Sequence, residues 1–168
     1  MGVLGIIYND VLIVSLASWL IAQLTKIVIN AIVNKKFDIE RLFGDGGMPS
    51  GHSATVTAMA LMTGFRLGFD NPIFGIAMIF AIVVMHDATG VRQEAGKHAR
   101  SIIELTDLFN EYLLEHDEKV KLDKLKTLVG HTPLQVVCGA AVGIIVVVVY
   151  LLITHDFETL VSFVPTNI

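Results

Sequence analysis

Three short stretches of the sequence carry the residues that could do chemistry, and each lies at the predicted end of an apolar helix. The first is Gly46–Ala54, which combines three glycines and a proline with two serines and His52. Glycine lets a backbone approach a ligand closely, and free N–H groups at a helix start attract anions. His52 places a titratable imidazole beside that anion site. The alternative interpretation is a tight interhelical turn whose histidine is incidental.

The second stretch, Met85–Arg92, contains Asp87 and Arg92. The third stretch, Gly130–Gln135, contains His131. An ionisable residue at the mouth of a membrane helix is a functional-site hypothesis by default. The alternative for Asp87 is that it caps the following helix, since aspartate is a preferred N-cap residue.

A polar stripe on the first apolar segment accompanies these stretches. Gln23, Lys26 and Asn30 recur at i, i+3 and i+7, which places them on one helical face. The stripe favours a polar surface directed at the bundle interior or at an anionic headgroup. The alternative is that Lys26 extends its ammonium group to the membrane interface.

Two histidines and several cations at one membrane surface suit phosphoryl transfer. Cations and helix-start N–H groups would stabilise the oxygens of the transferring group. One imidazole would attack phosphorus and the other would protonate the leaving oxygen. The sequence shows no EF-hand, P-loop or zinc-ligand spacing, so we expect a metal-independent site with no cofactor.

The motif Pro-Ser-Gly-His-Ser resembles the second signature of the type-2 phosphatidic acid phosphatase superfamily, which also includes the vanadium haloperoxidases. The longer string Gly-Gly-Met-Pro-Ser-x-His-Ser-Ala is similar to that of the superfamily's small divergent branch. The string Asp-Ala-x-Gly-Val-Arg at 87–92, followed by Ala95 and Gly96, resembles the same branch. This second resemblance extends to nearly the whole chain.

The resemblance implies catalytic roles for individual residues. By analogy His131 is the nucleophile and His52 the general acid, with Asp87 as a further catalytic candidate. Gln23 and Gln135 would support the site. The phosphate-binding candidates are Lys26, with Arg41 as an alternative in the same role, and Ser50, Gly51, Arg92 and Lys126.

The sequence departs from the superfamily pattern at several positions. Position 135 is Gln where the third motif has Asp, and Gln cannot offer a carboxylate to an imidazolium. The arginine expected shortly before the nucleophile is absent, with Lys126 nearby, and no Arg-Pro pair follows the first basic stretch. Asp87 and Arg92 are candidates to supply the missing carboxylate and guanidinium.

The composition predicts what must hold these residues. Of 168 residues, 54% are hydrophobic and 17% charged, and the mean hydropathy is +0.68. We expect one all-α domain, 1–168: a polytopic membrane bundle of about four helices plus cytoplasmic amphipathic helices. The net charge of −4 argues against a nucleic-acid partner, and one cysteine permits no intrachain disulfide. The predicted membrane helices are about 3–33, 53–69, 72–87 and 134–153, with a cytoplasmic helical connection at about 91–129.

The distribution of lysine and arginine predicts the orientation. Basic residues concentrate in the connections after the first and third helices, whereas the short turn between helices two and three has only Arg66 nearby. The positive-inside rule therefore predicts cytoplasmic motifs and external termini in the cell membrane. Gly139 and Gly143 have the spacing of close helix contacts and suggest a homo-oligomer through that helix.

The expected function is an integral membrane phosphatase that hydrolyses a lipid phosphate or diphosphate at the cytoplasmic interface. Its partner would be a membrane lipid with a phosphate headgroup. One alternative is a non-catalytic protein that binds lipid phosphate, as a scaffold or transport component. A second alternative is an acid phosphatase that acts on soluble esters. Because Gln135 replaces the expected aspartate, enzymatic activity itself stays an open prediction.

Overall fold

The computed structural model describes residues 3–35, 47–113 and 130–154 of the chain. These ranges form a short 3-10 helix and five α-helices. In chain order they are the 3-10 helix Val3–Tyr8, α1 (Asp10–Asn34), α2 (Gly51–Leu67), α3 (Pro72–Thr89), α4 (Val91–Leu113) and α5 (Pro133–Ile153).

The first predicted membrane helix, 3–33, is divided in the structure. The side chain of Asn9 accepts a hydrogen bond from the Leu12 N–H at 3.0 Å, so Asn9 caps α1 and the residues before it form the 3-10 turn. The helix ends at Asn34, and Lys35 follows with φ of 50°. The polar Asn9-Asp10 pair in an otherwise apolar segment is therefore the sequence signal for this boundary.

The other helices begin at capping residues close to the predicted positions. Ser50 caps α2, Asn71 caps α3, and Thr132 caps α5. The turn after α2 contains Gly68, whose φ of 99° favours glycine. In the predicted connection 91–129, α4 occupies Val91–Leu113. The rest of the predicted connection, 114–129, lies outside the described residues.

The central element is α2, which packs against α1, α3 and α5. It can do so because most of its buried positions carry small side chains. Small residues let neighbouring backbones approach closely, which replaces the missing hydrophobic drive between helices in lipid. Its buried residues are Gly51, Ser53, Ala54, Val56, Ala58, Ala60, Met62, Thr63 and Gly64.

Gly139 and Gly143 of α5 form the closest of these contacts. A Cβ atom on Gly143 would lie 2.6 Å from the Ala54 carbonyl oxygen, and one on Gly139 would collide with the Ser50 carbonyl oxygen. The predicted close packing is therefore present, but it lies inside one chain. α2 covers both glycines in this chain, and the homo-oligomer suggested by their spacing stays a prediction.

In the described part of the chain, three helical stretches are long and apolar enough to cross a membrane: Asp10–Ile32, Pro72–Tyr112 and Pro133–Ile153. Large apolar side chains such as Leu20, Ile79 and Ile145 are exposed on the outside of the bundle, where lipid would surround them. The 17-residue α2 lies among these helices. The predicted all-α membrane bundle is confirmed, with α2 as its fourth helix.

The amphipathic character predicted for the segment after α3 is present in α4. Its apolar side chains are largely exposed, and α3 is its principal neighbour in the described part of the chain. The exposed apolar residues are Val91, Ile102, Leu105, Leu108, Phe109 and Tyr112.

Candidate functional site

The three motif stretches are tied together by backbone hydrogen bonds. The Ser50 N–H donates to the Gln135 carbonyl oxygen at 3.0 Å, which joins the start of α2 to the start of α5. The His131 N–H donates to the Ala88 carbonyl oxygen at 2.8 Å, which joins the start of α5 to the end of α3. Two helix starts and one helix end therefore meet at one end of the bundle.

Gly130 makes the second of these junctions possible. Its φ is 85°, and a Cβ atom there would lie 2.6 Å from the Gln93 Cα atom. No residue other than glycine fits so close to the first turn of α4 without moving the backbone. The sequence indicated Gly130 as a helix terminator, whereas its close approach to Gln93 needed the structure.

His52 and His131 lie beside one another at this end of the bundle. Their ring centroids are 5.9 Å apart, and the ring planes meet at 63°. His131 is only 2% exposed, while His52 is half-buried. The two imidazole rings are therefore direct neighbours.

Gln135 orients the buried imidazole. Its Oε1 lies 3.3 Å from His131 Nδ1 and also accepts the Thr132 N–H at 3.1 Å, as part of a capping box. An amide oxygen only accepts, so this contact assigns the proton to His131 Nδ1 and the lone pair to Nε2. That tautomer suits a nucleophile, although the amide lacks the charge that would stabilise an imidazolium.

Ser50 is fully buried and caps α2. Its Oγ accepts the Ser53 N–H at 3.3 Å and the Ser53 hydroxyl at 3.0 Å, which leaves the Ser50 hydroxyl proton to donate. The N–H groups of Gly51 and His52 belong to the first turn, before the helix's own hydrogen bonds begin. The predicted phosphate donors Ser50 and Gly51 therefore stand at the positive end of α2.

Lys26 is buried on the face of α1 that turns toward this end of α2. Gln23, Lys26 and Asn30 are 6%, 3% and 6% exposed, as expected for a stripe that faces the interior. Gly47 lies against the Lys26 stem, since a Cβ atom there would stand 3.3 Å from Lys26 Cδ. This burial contradicts the alternative in which Lys26 reaches toward solvent at the interface.

Gln23 and Trp19 complete the α1 side. A Cβ atom on Gly51 would lie 3.3 Å from Trp19 Cδ1 and 3.7 Å from Gln23 Cδ, so both side chains touch the start of α2. Gln23 Oε1 is buried and has no hydrogen-bond partner in the described part of the chain. Trp19 was not predicted as a site residue from the sequence. It lies four residues before Gln23 and therefore on the same face of α1.

Asp87 and Arg92 form an ion pair with each other. Arg92 Nε lies 2.8 Å from Asp87 Oδ2, and the two side chains are 42% and 44% exposed. Within the described ranges, neither side chain has a hydrogen bond to His52 or His131. Asp87 lies inside α3, so it is not the cap of α4 that the alternative interpretation required.

The remaining predicted phosphate ligands, Arg41 and Lys126, lie outside the described residues. Among the residues at 3–35, 47–113 and 130–154, no three His, Cys, Asp or Glu side chains are grouped as metal ligands would be.

The fold and this site define a helical membrane protein in which two histidines, a buried lysine and a helix start meet at one end of the bundle. The family model of the Divergent PAP2 family matches residues 7–146, and the chain belongs to that family. The resemblance stated from the sequence motifs is thereby confirmed.

A curated relative agrees with this assignment. The uncharacterized membrane protein YuiD of Bacillus subtilis is 41% identical over 147 residues, which cover 84% of this chain and 93% of YuiD. No solved structure matches the chain.

Proposed function

We propose that this protein is a membrane phosphatase that hydrolyses a lipid phosphate or diphosphate through a histidine nucleophile. The observation that carries the proposal is the pairing of His52 and His131, 5.9 Å apart, at the start of α2. Membership of the Divergent PAP2 family supports a phosphatase-related chemistry. The buried Lys26 supplies a cation on the adjacent face of α1.

In the proposed reaction, His131 Nε2 attacks phosphorus and the bond from phosphorus to the leaving oxygen breaks. His52 donates its proton to that oxygen as it departs. Water then attacks the phosphohistidine, His52 accepts a proton from it, and the nitrogen–phosphorus bond breaks to release phosphate. Gln135 holds the His131 ring in the reactive tautomer throughout.

The negative charge of the transferring group would be held by Lys26, the Ser50 hydroxyl and the first N–H groups of α2. Preorganised donors of this kind stabilise the transition state without having to move. The sequence adds Arg41 and Lys126 as further cations. Arg92 is already paired with Asp87, so part of its positive charge is neutralised. Its guanidinium would therefore attract phosphate less strongly than an unpaired arginine.

We give the Asp87–Arg92 pair a positioning role. It lies next to Ala88, whose carbonyl oxygen holds the His131 N–H. Asp87→Asn should therefore lower phosphate release by about threefold, the scale expected from a partly exposed ion pair. An unchanged rate, measured on purified folded protein, would assign the pair no part in the site.

A lipid substrate is favoured because the site lies where apolar helices end. The positive-inside rule places this end at the cytoplasmic face of the cell membrane. Lipid headgroups occupy that depth, and α1, which is long and apolar enough to cross a membrane, extends away from the site.

The test is phosphate release by purified protein from phosphatidate, phosphatidylglycerophosphate and polyprenyl diphosphate, with a chelator present. We expect release by wild type and at least a ~100-fold loss in His52→Ala and in His131→Ala. His98→Ala is the matched control, since His98 is exposed on α4 and should leave the rate unchanged. Full activity in His131→Ala would refute the histidine mechanism.

The non-catalytic alternative rests on Gln135, which cannot stabilise an imidazolium as a carboxylate does. It predicts that folded wild type binds lipid phosphate, releases none from any substrate, and gains release in Gln135→Asp. Faster turnover of small soluble esters, without dispersed lipid, than of any lipid phosphate would instead identify a soluble-substrate acid phosphatase.

A further inference from the structure

A groove of about 1120 Å³ lies between α1, α2 and the start of α3, away from the paired histidines. Its walls are mainly apolar, with Leu12 and Leu16 from α1 facing Met59 and Leu67 from α2, and Ile73 at the start of α3. The groove lies along helices that are embedded in hydrocarbon, where an apolar concavity is filled by acyl chains rather than by water.

The serine and threonine hydroxyl groups along the groove are satisfied within their own helices. Ser15 donates to the Val11 carbonyl oxygen at 2.5 Å, and Thr55 and Thr63 donate at 2.8 Å to Gly51 and Met59. Back-bonding of this kind removes the need for a polar ligand. The groove therefore fits a hydrocarbon chain better than a polar molecule.

The groove begins one helical turn from the candidate site, at Thr55 on α2. On α2, the lining residues Thr55, Met59 and Thr63 continue the four-residue spacing that begins at Gly51. On α1, Leu16 is followed one turn later by Trp19, which touches Gly51. The facing sides of α1 and α2 thus carry the phosphate-binding candidates at one end, and the groove lies along the remainder of the same two sides.

A polar cluster lines the other end of the groove. Arg66 Nη2 lies 2.5 Å from Asp10 Oδ2, and Tyr150 donates its hydroxyl to Asp10 Oδ1 at 2.8 Å. From Gly51 to Arg66 the helix rises about 22 Å, shorter than the ~30 Å hydrocarbon core. A chain that starts at the site meets these charges before it crosses the membrane.

We propose that this groove binds a single hydrocarbon chain of the lipid phosphate whose headgroup lies at His52 and His131, and that the Asp10–Arg66 pair limits the length of that chain. This inference rests on the proposed function for the identity of the headgroup. It adds a specificity: the enzyme selects lipid phosphates by chain length.

The first experiment measures chain placement without requiring turnover. Wild-type protein in lipid nanodiscs is photolabelled with hexadecyl phosphate that carries a terminal diazirine, and the labelled peptides are identified by mass spectrometry. We expect labels between Asp10 and Leu16 and between Met59 and Leu67. The matched hexadecanol probe, which lacks phosphate, should label these segments about tenfold less.

The second experiment shortens the groove. Met59→Trp fills its middle, and Ile145→Trp is the matched control on the exposed outer face of α5. Across a series from octyl to eicosyl phosphate, we expect Met59→Trp to move the optimum of kcat/KM to shorter chains and to reduce groove labelling. Ile145→Trp should retain the wild-type optimum, and both variants should turn over a small soluble ester equally.

The outcomes separate the two proposals. Groove labelling that depends on phosphate but occurs without phosphate release would support the groove and overturn the phosphatase. Phosphate release with labels spread over the outer helix faces would support the phosphatase and overturn the groove. Equal labelling by the alcohol probe, or an unchanged chain-length optimum in Met59→Trp, would also overturn the groove proposal.

Discussion

The two ends of the α1–α2 interface have the same helices and different chemistry. Toward the start of α2, the facing surfaces bury Gln23, Lys26 and Ser50. Toward its end, they diverge into an apolar groove that the Asp10–Arg66 pair lines. Burying polar groups inside a membrane costs free energy unless they are paired or used. The polar end is therefore the better candidate for a ligand's charged group, and the apolar end for its chain.

The packing of α5 against α2 also differs between the two ends of the bundle. Gly139 brings the α5 backbone against the Ser50 carbonyl oxygen, while at the opposite end the larger Val147 and Leu151 pack with Val14 and Met62. Close backbone contact fixes the position of the helix start that bears His131. Ordinary side-chain packing suffices where no candidate site residue has to be placed.

The largest effect should come from breaking the close contact at the polar end. Gly139→Leu forces a side chain into the Ser50 backbone, so we expect a loss of about 3 kcal/mol or more in unfolding free energy. Gly75→Leu is the matched control, because nothing lies within 4 Å of a Cβ atom there. Thermal unfolding of both variants in detergent measures the difference, and equal melting temperatures would contradict the packing described.

The next largest effect concerns the buried cation. Lys26→Met keeps the volume and removes the charge, so phosphate release should fall about 100-fold while the fold remains stable. Lys97→Met, on the exposed face of α4 where Lys97 pairs with Glu94 at 2.6 Å, is the control. A fall of similar size in both variants would show that Lys26 acts only through overall charge.

The smallest effect is expected at the apolar end. Asp10→Asn removes the charge that Arg66 and Tyr150 contact, which should cost about 1–2 kcal/mol of unfolding free energy. Hydrolysis of a small soluble ester should not change, because Asp10 lies at the far end of α1 from the site. A large loss of that activity would mean that the two ends are not separate in function.

More of the polar end than of the apolar end could be predicted from the sequence. The i, i+3, i+7 spacing of Gln23, Lys26 and Asn30 predicted one helical face, and the structure buries all three. A groove is space between helices, so no periodicity in one helix predicts it. For the same reason the spacing of Gly139 and Gly143 predicted a close helix contact without identifying α2 as the partner.

The meeting of His52 and His131 could not be read from the chain either. Their motifs marked both residues, but the 5.9 Å separation depends on how α2 and α5 dock at Ser50 and Gln135. Asp87 shows the opposite case. Its residue type suggested a cap or the carboxylate missing from the third motif, while tertiary structure placed it inside α3 and paired it with Arg92.

The central claim is that His131 accepts the phosphoryl group. Mass spectrometry of reactions that are quenched without acid tests this claim most directly. In His52→Ala, where hydrolysis of the intermediate should be slowed, we predict a phosphate adduct of the intact protein that maps to His131. The adduct should be absent from the double variant His52→Ala/His131→Ala. Phosphate release by wild type with no adduct in His52→Ala, or an adduct that persists without His131, would contradict the account.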